Sequence, residues 1–277
     1  MRLARTIAEM TALRKQLGGD VGFVPTMGYL HEGHLALVRQ ARAENPAVIV
    51  SIYVNPSQFG QREDLAGYPR DLDRDLELLR KENTDIVFVP SDADMYPPGF
   101  SSWIEVGGIS ERLEGAARPG HFRGVATIVA GLFNIVRPAR AYFGQKDAQQ
   151  VLVIRRMVSD LNMDVQIIAA PTVREGDGLA MSSRNVRLGP QERRAATVLF
   201  RALTLAGQLR NEGQTDAGEI RRRMTLLIEE QPLAQIDYVS IADAETLEEL
   251  HVIDRPALAS LAVWIGKTRL IDNITLQ

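Results

Sequence analysis

Residues 21–34 read VGFVPTMGYLHEGH: an apolar strand candidate at Val21–Val24, a Pro-Thr-Met-Gly turn, and the start of a helix expected over about Gly33–Ala43. The next apolar run, AVIVSIYV at Ala47–Val54, is rich in β-branched residues and apolar on both faces, as a buried parallel strand is. Leu72, Leu76 and Leu79 step by four and three, which predicts a helix before the strand-like DIVFVP at Asp85–Pro90. Val125, Ile128, Val129, Leu132, Phe133 and Val136 form the one-face stripe of another helix. Ala141–Phe143 reads as a short strand, Val151, Ile154, Val158 and Leu161 as a helical stripe, and VQIIAA at Val165–Ala170 as a further strand. This alternation predicts an α/β fold, Rossmann-like and doubly wound, with a mostly parallel sheet carrying helices on both faces. Such sheets take ligands in the crevice at the carboxyl ends of their strands. Upstream of the opening stretch, MRLARTIAEMTALRKQL at residues 1–17 reads as an amphipathic helix.

After Pro171 the pattern changes. A polar loop, Thr172–Gly189, precedes helices expected at about Pro190–Asn211 and Asp216–Glu230, and then three strand-like runs, QIDYVSI, ALASLAVWI and RLIDNITL. Helices followed by strands indicate a second, smaller α+β domain, giving a division into 1–172 and 173–277.

The 277 residues are 45% apolar and 24% charged with a net charge of −3, a soluble globular composition that argues against long disorder and against a general nucleic-acid or anionic-membrane surface. The absence of cysteine excludes disulfides, thiolate metal sites and a cysteine nucleophile. No apolar run approaches the roughly 20 residues that span a bilayer. Residues 1–17 also lack the continuous apolar core of a signal peptide, so a cytoplasmic location is the default expectation.

Chemistry is suggested first by His31-Glu32-Gly33-His34, two histidines around a glycine where a helix should begin. Helix N-termini hold phosphates, glycine lets backbone approach a ligand, and imidazoles there could donate to phosphate oxygens. A zinc reading fits less well, because the zincin pattern has two residues between Glu and the second His and this sequence has one. Simple helix capping by the two rings stays open. His121 lies in RPGHFRG, again beside an expected helix, whereas His251 has no surrounding signal and reads as structural. In Gly144-Gln145-Lys146-Asp147, Lys146 could place a point charge on a phosphate, and Asp147 could cap the helix or meet the water shell of a magnesium ion. Met181-Ser182-Ser183-Arg184 offers two hydroxyls and a guanidinium to a polyphosphate, and Gly176 and Gly178 suggest a loop that closes. Gln58, in NPSQF after the second strand, and Gln150 are neutral amides suited to a ligand bearing hydroxyl and carboxylate groups.

Taken together, His-x-Gly-His after the first strand and a later Met-Ser-Ser-Arg loop resemble the nucleotidylyltransferase superfamily, which includes class I aminoacyl-tRNA synthetases. The blocks PTMGYLHEGH, YVNPSQF, YPRDLDRDL, GHFRGVATIV, YFGQKDAQQ and DGLAMSSRN, in that order, are similar to the pantoate–β-alanine ligase family. DYVSIADAETLEEL and WIGKTRLIDN resemble its C-terminal domain, so the likeness runs over essentially the whole chain. Ala180 stands where the synthetase version of the serine loop has lysine; Lys146 would supply that charge instead.

The resemblance implies an ATP-dependent ligation. The pantoate carboxylate attacks the α-phosphate to give pantoyl adenylate and pyrophosphate, and the β-alanine amine then gives pantothenate and AMP. A carboxylate with a pKa of about 4 is already ionised at neutral pH, so the first step needs positioning and charge stabilisation rather than a base. It further implies that His31, Gly33 and His34 face the ATP phosphates, that Met27 positions the adenylate, and that Lys146 stabilises the transition state. Ser182, Ser183 and Arg184 would hold the triphosphate beside Met181, and Gly144, Asp147 and Val173 would line the adenosine site. Gln58 and Gln150 would bind pantoate, with Pro25, Thr26 and Phe59 shaping its apolar side, Asn55 supporting the site, and His121, Arg118 and Tyr68 at the rim. Magnesium would arrive with ATP, and the family likeness suggests a homodimer. A nucleotidyltransferase that stops after AMP or CMP transfer, and a silent nucleotide-binding module, are the competing readings. Neither would form an amide.

Overall fold

The computed structural model describes residues 1–60 and 65–277. The chain divides into two compact units, Met1–Gly144 with Gln149–Pro171, and Gln145–Ala148 with Thr172–Gln277.

The first unit holds β1 (Arg2–Ala4), α1 (Ile7–Lys15), β2 (Val21–Thr26), α2 (Glu32–Glu44), β3 (Ala47–Ile52), α3 (Leu72–Lys81) and β4 (Ile86–Phe88). The short α4 (Asp92–Met95) and α5 (Glu114–Ala117) follow, then α6 (His121–Val136), β5 (Arg140–Gly144), α7, whose range is Ala148–Asp160, and β6 (Gln166–Ala170). The six strands lie in the order β1-β4-β3-β2-β5-β6, and every neighbouring pair is parallel. Side chains alternate across the sheet. Phe23, Ile49 and Phe88 pack with Met10 of α1, Phe133 of α6 and Ile154 of α7, while Val24, Val50 and Val87 pack with Val38 of α2 and Leu79 of α3. The sheet is therefore buried on both faces, which explains why its strands read as continuous apolar runs.

Strand order reverses between β2 and β5. These two pair only at Gly22↔Arg140 and Phe23↔Ala141, although β2 runs on to Thr26 and β5 to Gly144. Their carboxyl ends thus part at the switch point where parallel sheets place ligands. Pro25 lies beyond the paired part, where its missing N–H costs no ladder bond on the β5 side.

The second unit contains α8 (Pro190–Ala195), α9 (Val198–Asn211) and α10 (Ala217–Glu229), followed by β7 (Ala234–Asp243), β8 (Ala257–Ile265) and β9 (Thr268–Leu276) in one antiparallel sheet. Leu199, Leu203, Ile220 and Met224 from the helices share a core with Ile241, Leu261 and Val263 of the sheet.

Three sequence expectations are corrected. Residues 2–4 belong to a strand, not to the expected N-terminal helix, because they pair with Ile86–Phe88 at the sheet edge; Thr6 then caps α1 with a reciprocal bond from Glu9. The helix expected over 190–211 is broken after Ala195 into α8 and α9. Thr172–Gly189 is not an open loop. Arg174 bridges Ala180, Met181 N–H donates to the Val173 carbonyl (3.0 Å), and residues Ser183–Arg187 form a 3-10 turn. Among the described residues, no helix is long and apolar enough to cross a membrane.

Candidate active site

The turn after β2 is held by one local bond and by partners distant in sequence. Thr26 Oγ1 donates to the Ser51 carbonyl of β3 (2.8 Å) and accepts from Gly28 N–H (3.2 Å). Gly28 sits at φ +80°, and a Cβ there would lie 2.9 Å from Ile52 Cγ2 and 3.1 Å from Asp75 Oδ2, so both conformation and space demand glycine. Tyr29 also has positive φ, 51°. The next backbone N–H groups are taken by Asp75 of α3: Tyr29 donates to Oδ2 and Leu30 to Oδ1, each at 2.7 Å. Asp75 is 1% exposed, and burial raises its carboxyl pKa against the opposing pull of these two bonds and of Arg74.

His31 follows as the N-cap of α2. Its Nδ1 accepts from Gly33 N–H (3.2 Å), and His34 Nδ1 accepts from His31 N–H (3.3 Å). The two rings lie 4.0 Å apart at 34°. An Nδ1 that accepts carries no proton, so each neutral ring holds its hydrogen on Nε2. The capping and phosphate-donor readings are therefore compatible: Nδ1 serves the helix, and Nε2–H is a donor at a helix N-terminus.

The turn after β3 forms a second constellation. Asn55 is fully buried, accepts from Ser57 N–H, Ser57 Oγ and Tyr96 OH, and donates to Gln58 Oε1 (3.0 Å) and the Gly124 carbonyl (3.2 Å). Gln58 Nε2 points at Met27 Sδ (3.2 Å), which joins this turn to the one after β2. His121 Nδ1–H donates to the Gln58 carbonyl (2.8 Å). A carbonyl only accepts, so Nε2 is the acceptor facing Arg118 Nη1 (3.1 Å). His121 and Asn55 thus hold Gln58 through hydrogen bonds. Phe59 meets Tyr68 edge to face with centroids 5.9 Å apart. On α7, buried Gln149 spans the Glu114 N–H and the Ile109 and Arg112 carbonyls, while Gln150 beside it is half-buried.

Lys146, Asp147, Val173, Met181, Ser182, Ser183 and Arg184 belong to the second unit. The Lys146 side chain is 16% exposed, and its Nζ lies 3.7 Å from Asp147 Oδ1, beyond hydrogen-bond length. A largely buried ammonium with donors so weakly answered has the capacity to hold an anion. Ser182 Oγ accepts from Arg184 N–H (3.2 Å), capping the 3-10 turn. The preceding hairpin is firmly held. Arg174 makes a two-pronged pair with Asp272 (2.6 and 3.0 Å), and Arg193 pairs with Glu175 (2.6 Å) and Asp177 (2.8 Å). Gly178, at φ +92°, is required because a Cβ would fall 1.9 Å from the Phe200 ring; it is a packing glycine, not a sign of a loose lid.

A cavity of about 420 Å³ opens in the first unit, lined by residues 27–29, 52–54, 70–72 and 89–92 together with Asp75. Of the residues expected at the site, Met27 alone lines it. Among the described residues, no three His, Asp or Glu side chains converge as a metal-binding group.

A sequence model of the family described as pantoate-beta-alanine ligase matches residues 2–275. The chain belongs to the pantoate–β-alanine ligase family. The pantothenate synthetases of Roseiflexus castenholzii and Thermotoga neapolitana are 62% and 56% identical to it over the full length of both chains. The solved pantothenate synthetase of Thermus thermophilus superposes with a TM-score of 0.95 at 49% identity, covering 99% of each chain. A pantoate-beta-alanine ligase of Francisella tularensis, solved in complex with β,γ-ATP and β-alanine, gives 0.82 at 36% identity, covering 99% of this chain and 97% of that one.

Two residues of this ligase-family chain that bear on the site escape a sequence reading. Asp75 is one of three aspartates in DLDRD; Asp71 caps α3 and Asp73 is exposed, while Asp75 is buried and takes the Tyr29 and Leu30 amides. Asn273 of β9 donates from Nδ2 to the carbonyls of Gln145 (3.0 Å) and Lys146 (2.8 Å), which accounts for the grouping of Gln145–Ala148 with the second unit. Its sequence signal, the IDN of the C-terminal block, carries no hint of a partner 127 positions away.

Proposed function

We propose that this chain joins pantoate to β-alanine in two half-reactions at the expense of ATP, giving pantothenate, AMP and pyrophosphate by way of pantoyl adenylate. The carrying observation is the His31–His34 pair, two neutral rings whose Nδ1 atoms are committed to the backbone, which places two Nε2–H donors at the start of α2. Membership of the ligase family over residues 2–275 supports the choice of substrates.

In the first half-reaction a pantoate carboxylate oxygen bonds to the α-phosphorus and the bond to pyrophosphate breaks. No proton moves, so the protein's task is to align the anions and offset charge as it builds. His31, His34 and Lys146 are assigned the phosphate oxygens, with Gly33 allowing close approach. Met27, Gly144, Asp147, Val173 and Met181 are assigned the adenosine part, and Ser182, Ser183 and Arg184 the triphosphate. Gln58 and Gln150 are assigned pantoate, bordered by Pro25, Thr26 and Phe59, with Asn55, His121 and Arg118 holding Gln58 in place. In the second half-reaction the β-alanine amine, having given its ammonium proton to solvent, bonds to the acyl carbon, the bond from that carbon to the AMP oxygen breaks, and the nitrogen releases one further proton to leave the amide. The division of labour is then nucleotide and pantoate binding on residues 1–172, in a Rossmann-like sheet, and triphosphate grip on residues 173–277. Magnesium would come with the nucleotide and would supply charge neutralisation at its phosphates; Asp147 is the carboxylate that would meet its water shell.

Pyrophosphate release from ATP plus pantoate, followed by AMP and pantothenate on adding β-alanine, tests the reading. AMP transfer with no amide product would replace it with a simple nucleotidyltransferase. The same proposal includes a cytoplasmic homodimer; light scattering should give about twice the chain mass of 30.7 kDa.

A further inference from the structure

The backbone between β2 and the histidine pair is held by a group outside the set assigned to substrates. Gly28 and Tyr29 are consecutive residues with positive φ, a conformation that costs a tyrosine energy unless its surroundings enforce it. The enforcing group is Asp75, 46 positions from Tyr29. It is 1% exposed, and each of its oxygens takes one of two successive N–H groups at 2.7 Å. Its cationic neighbour, Arg74, stands 3.5 Å away, beyond hydrogen-bond length, with a side chain 45% exposed. A carboxylate buried this deeply with so little charge compensation is a poor device for stability alone. It suits geometry, because two acceptor oxygens on one rigid fork fix two neighbouring peptide planes at once. The second of those planes leads directly into His31, the N-cap whose N–H and Nδ1 join the two imidazoles to the helix start.

We propose that Asp75 is a positioning residue for adenylation: it touches no substrate and sets the pose of the His31–His34 pair through the Tyr29 and Leu30 amides. This deepens the proposed function and rests on it. An asparagine in the same place offers one oxygen and turns an N–H toward the second amide, so Asp75→Asn leaves the shape and breaks the fork.

The test compares the wild-type chain with Asp75→Asn and Asp75→Ala in two single-turnover reactions, pyrophosphate formation from ATP and pantoate, and aminolysis of supplied pantoyl adenylate by β-alanine. Pyrophosphate formation should fall roughly 10–10²-fold, the scale for misplacing catalytic groups by about 1 Å, while aminolysis stays at the wild-type rate. In parallel, ¹⁵N spectra of the four histidines should show His31 and His34 losing their single Nε2–H tautomer while His121 and His251 keep their signals. Unchanged pyrophosphate formation in both variants would overturn the proposal. So would an equal fall in both half-reactions, or a collapse of all four histidine signals in both variants, since either assigns Asp75 to maintaining the fold. If the wild-type chain forms no pyrophosphate, the proposed activity fails, and the histidine spectra still decide whether Asp75 sets the rings.

Discussion

Gly124→Ala tests how Gln58 is held. Helix α6 passes the turn after β3 so closely that a Cβ on Gly124 would lie 2.4 Å from the Ser57 carbonyl oxygen and 2.8 Å from Gln58 N. Both neighbours are backbone atoms, so no side chain can swing away. Ordinary contact begins near 3.4 Å, so α6 and the turn must separate by about 1 Å. That movement lengthens the Asn55–Gly124 bond (3.2 Å) and the His121–Gln58 bond (2.8 Å) together. Overpacking of this kind costs about 1–3 kcal/mol, and each kcal/mol lowers Tm by about 2–4 °C in a unit of this size. The Gln58 amide moves with its backbone, away from the place in which the proposed function has it meet pantoate. A hydrogen bond to a charged group contributes about 1.5–3 kcal/mol, so KM for pantoate should rise roughly 10–10²-fold at about 1.4 kcal/mol per factor of ten. Steady-state kinetics with pantoate varied, beside a thermal melt, reads both effects. Gln58→Ala should reproduce the KM change with a smaller loss of Tm. A Gly124→Ala chain with wild-type pantoate KM would refute the reasoning, since α6 would then not set the position of Gln58.

Lys146→Ala should slow pyrophosphate formation by roughly 10²–10³, the scale for losing one donor to a developing charge; a wild-type rate in single turnover removes Lys146 from the chemistry. His34→Ala should raise KM for ATP and leave KM for β-alanine unchanged, as measured by varying each substrate in turn. Asp243 provides a pH test of the second unit. The Thr246 N–H and the Arg255 guanidinium, with Glu245 N–H, hold its carboxyl down to about 2 from 3.8. A depressed pKa contributes stability that is complete above the unfolded value and fades as pH falls through the folded one. Urea melts should therefore show the gap between wild type and Asp243→Asn constant above about pH 4 and closing toward pH 2; a gap independent of pH contradicts the assignment.

The parallel sheet was legible because burial on both faces writes itself into runs such as AVIVSIYV, and the strand–turn–helix junctions could be placed from those runs. Features set by distant partners were not legible. Arg2–Ala4 is a strand only because Ile86–Phe88 offers an open sheet edge, and its three residues carry no periodicity of their own. Gly178 reads as a hinge until the Phe200 ring is seen against it. The family resemblance puts His121 at the rim; that its two ring nitrogens meet the Gln58 carbonyl and Arg118 could not be read from the sequence. Sequence identifies which side chains have suitable chemistry; it does not separate those that would meet a ligand from those, like Asp75 and Asn273, that aim them.

The Asn273 amide has a consequence for how the gene can be divided. A fragment stopped at Pro171 would encode all six parallel strands and the lysine itself, yet the Gln145 and Lys146 carbonyls would lose the amide that answers them from near the other end of the chain. Such a truncate would keep its sheet and still misplace its ammonium, and supplying residues 172–277 as a separate polypeptide should restore the turn.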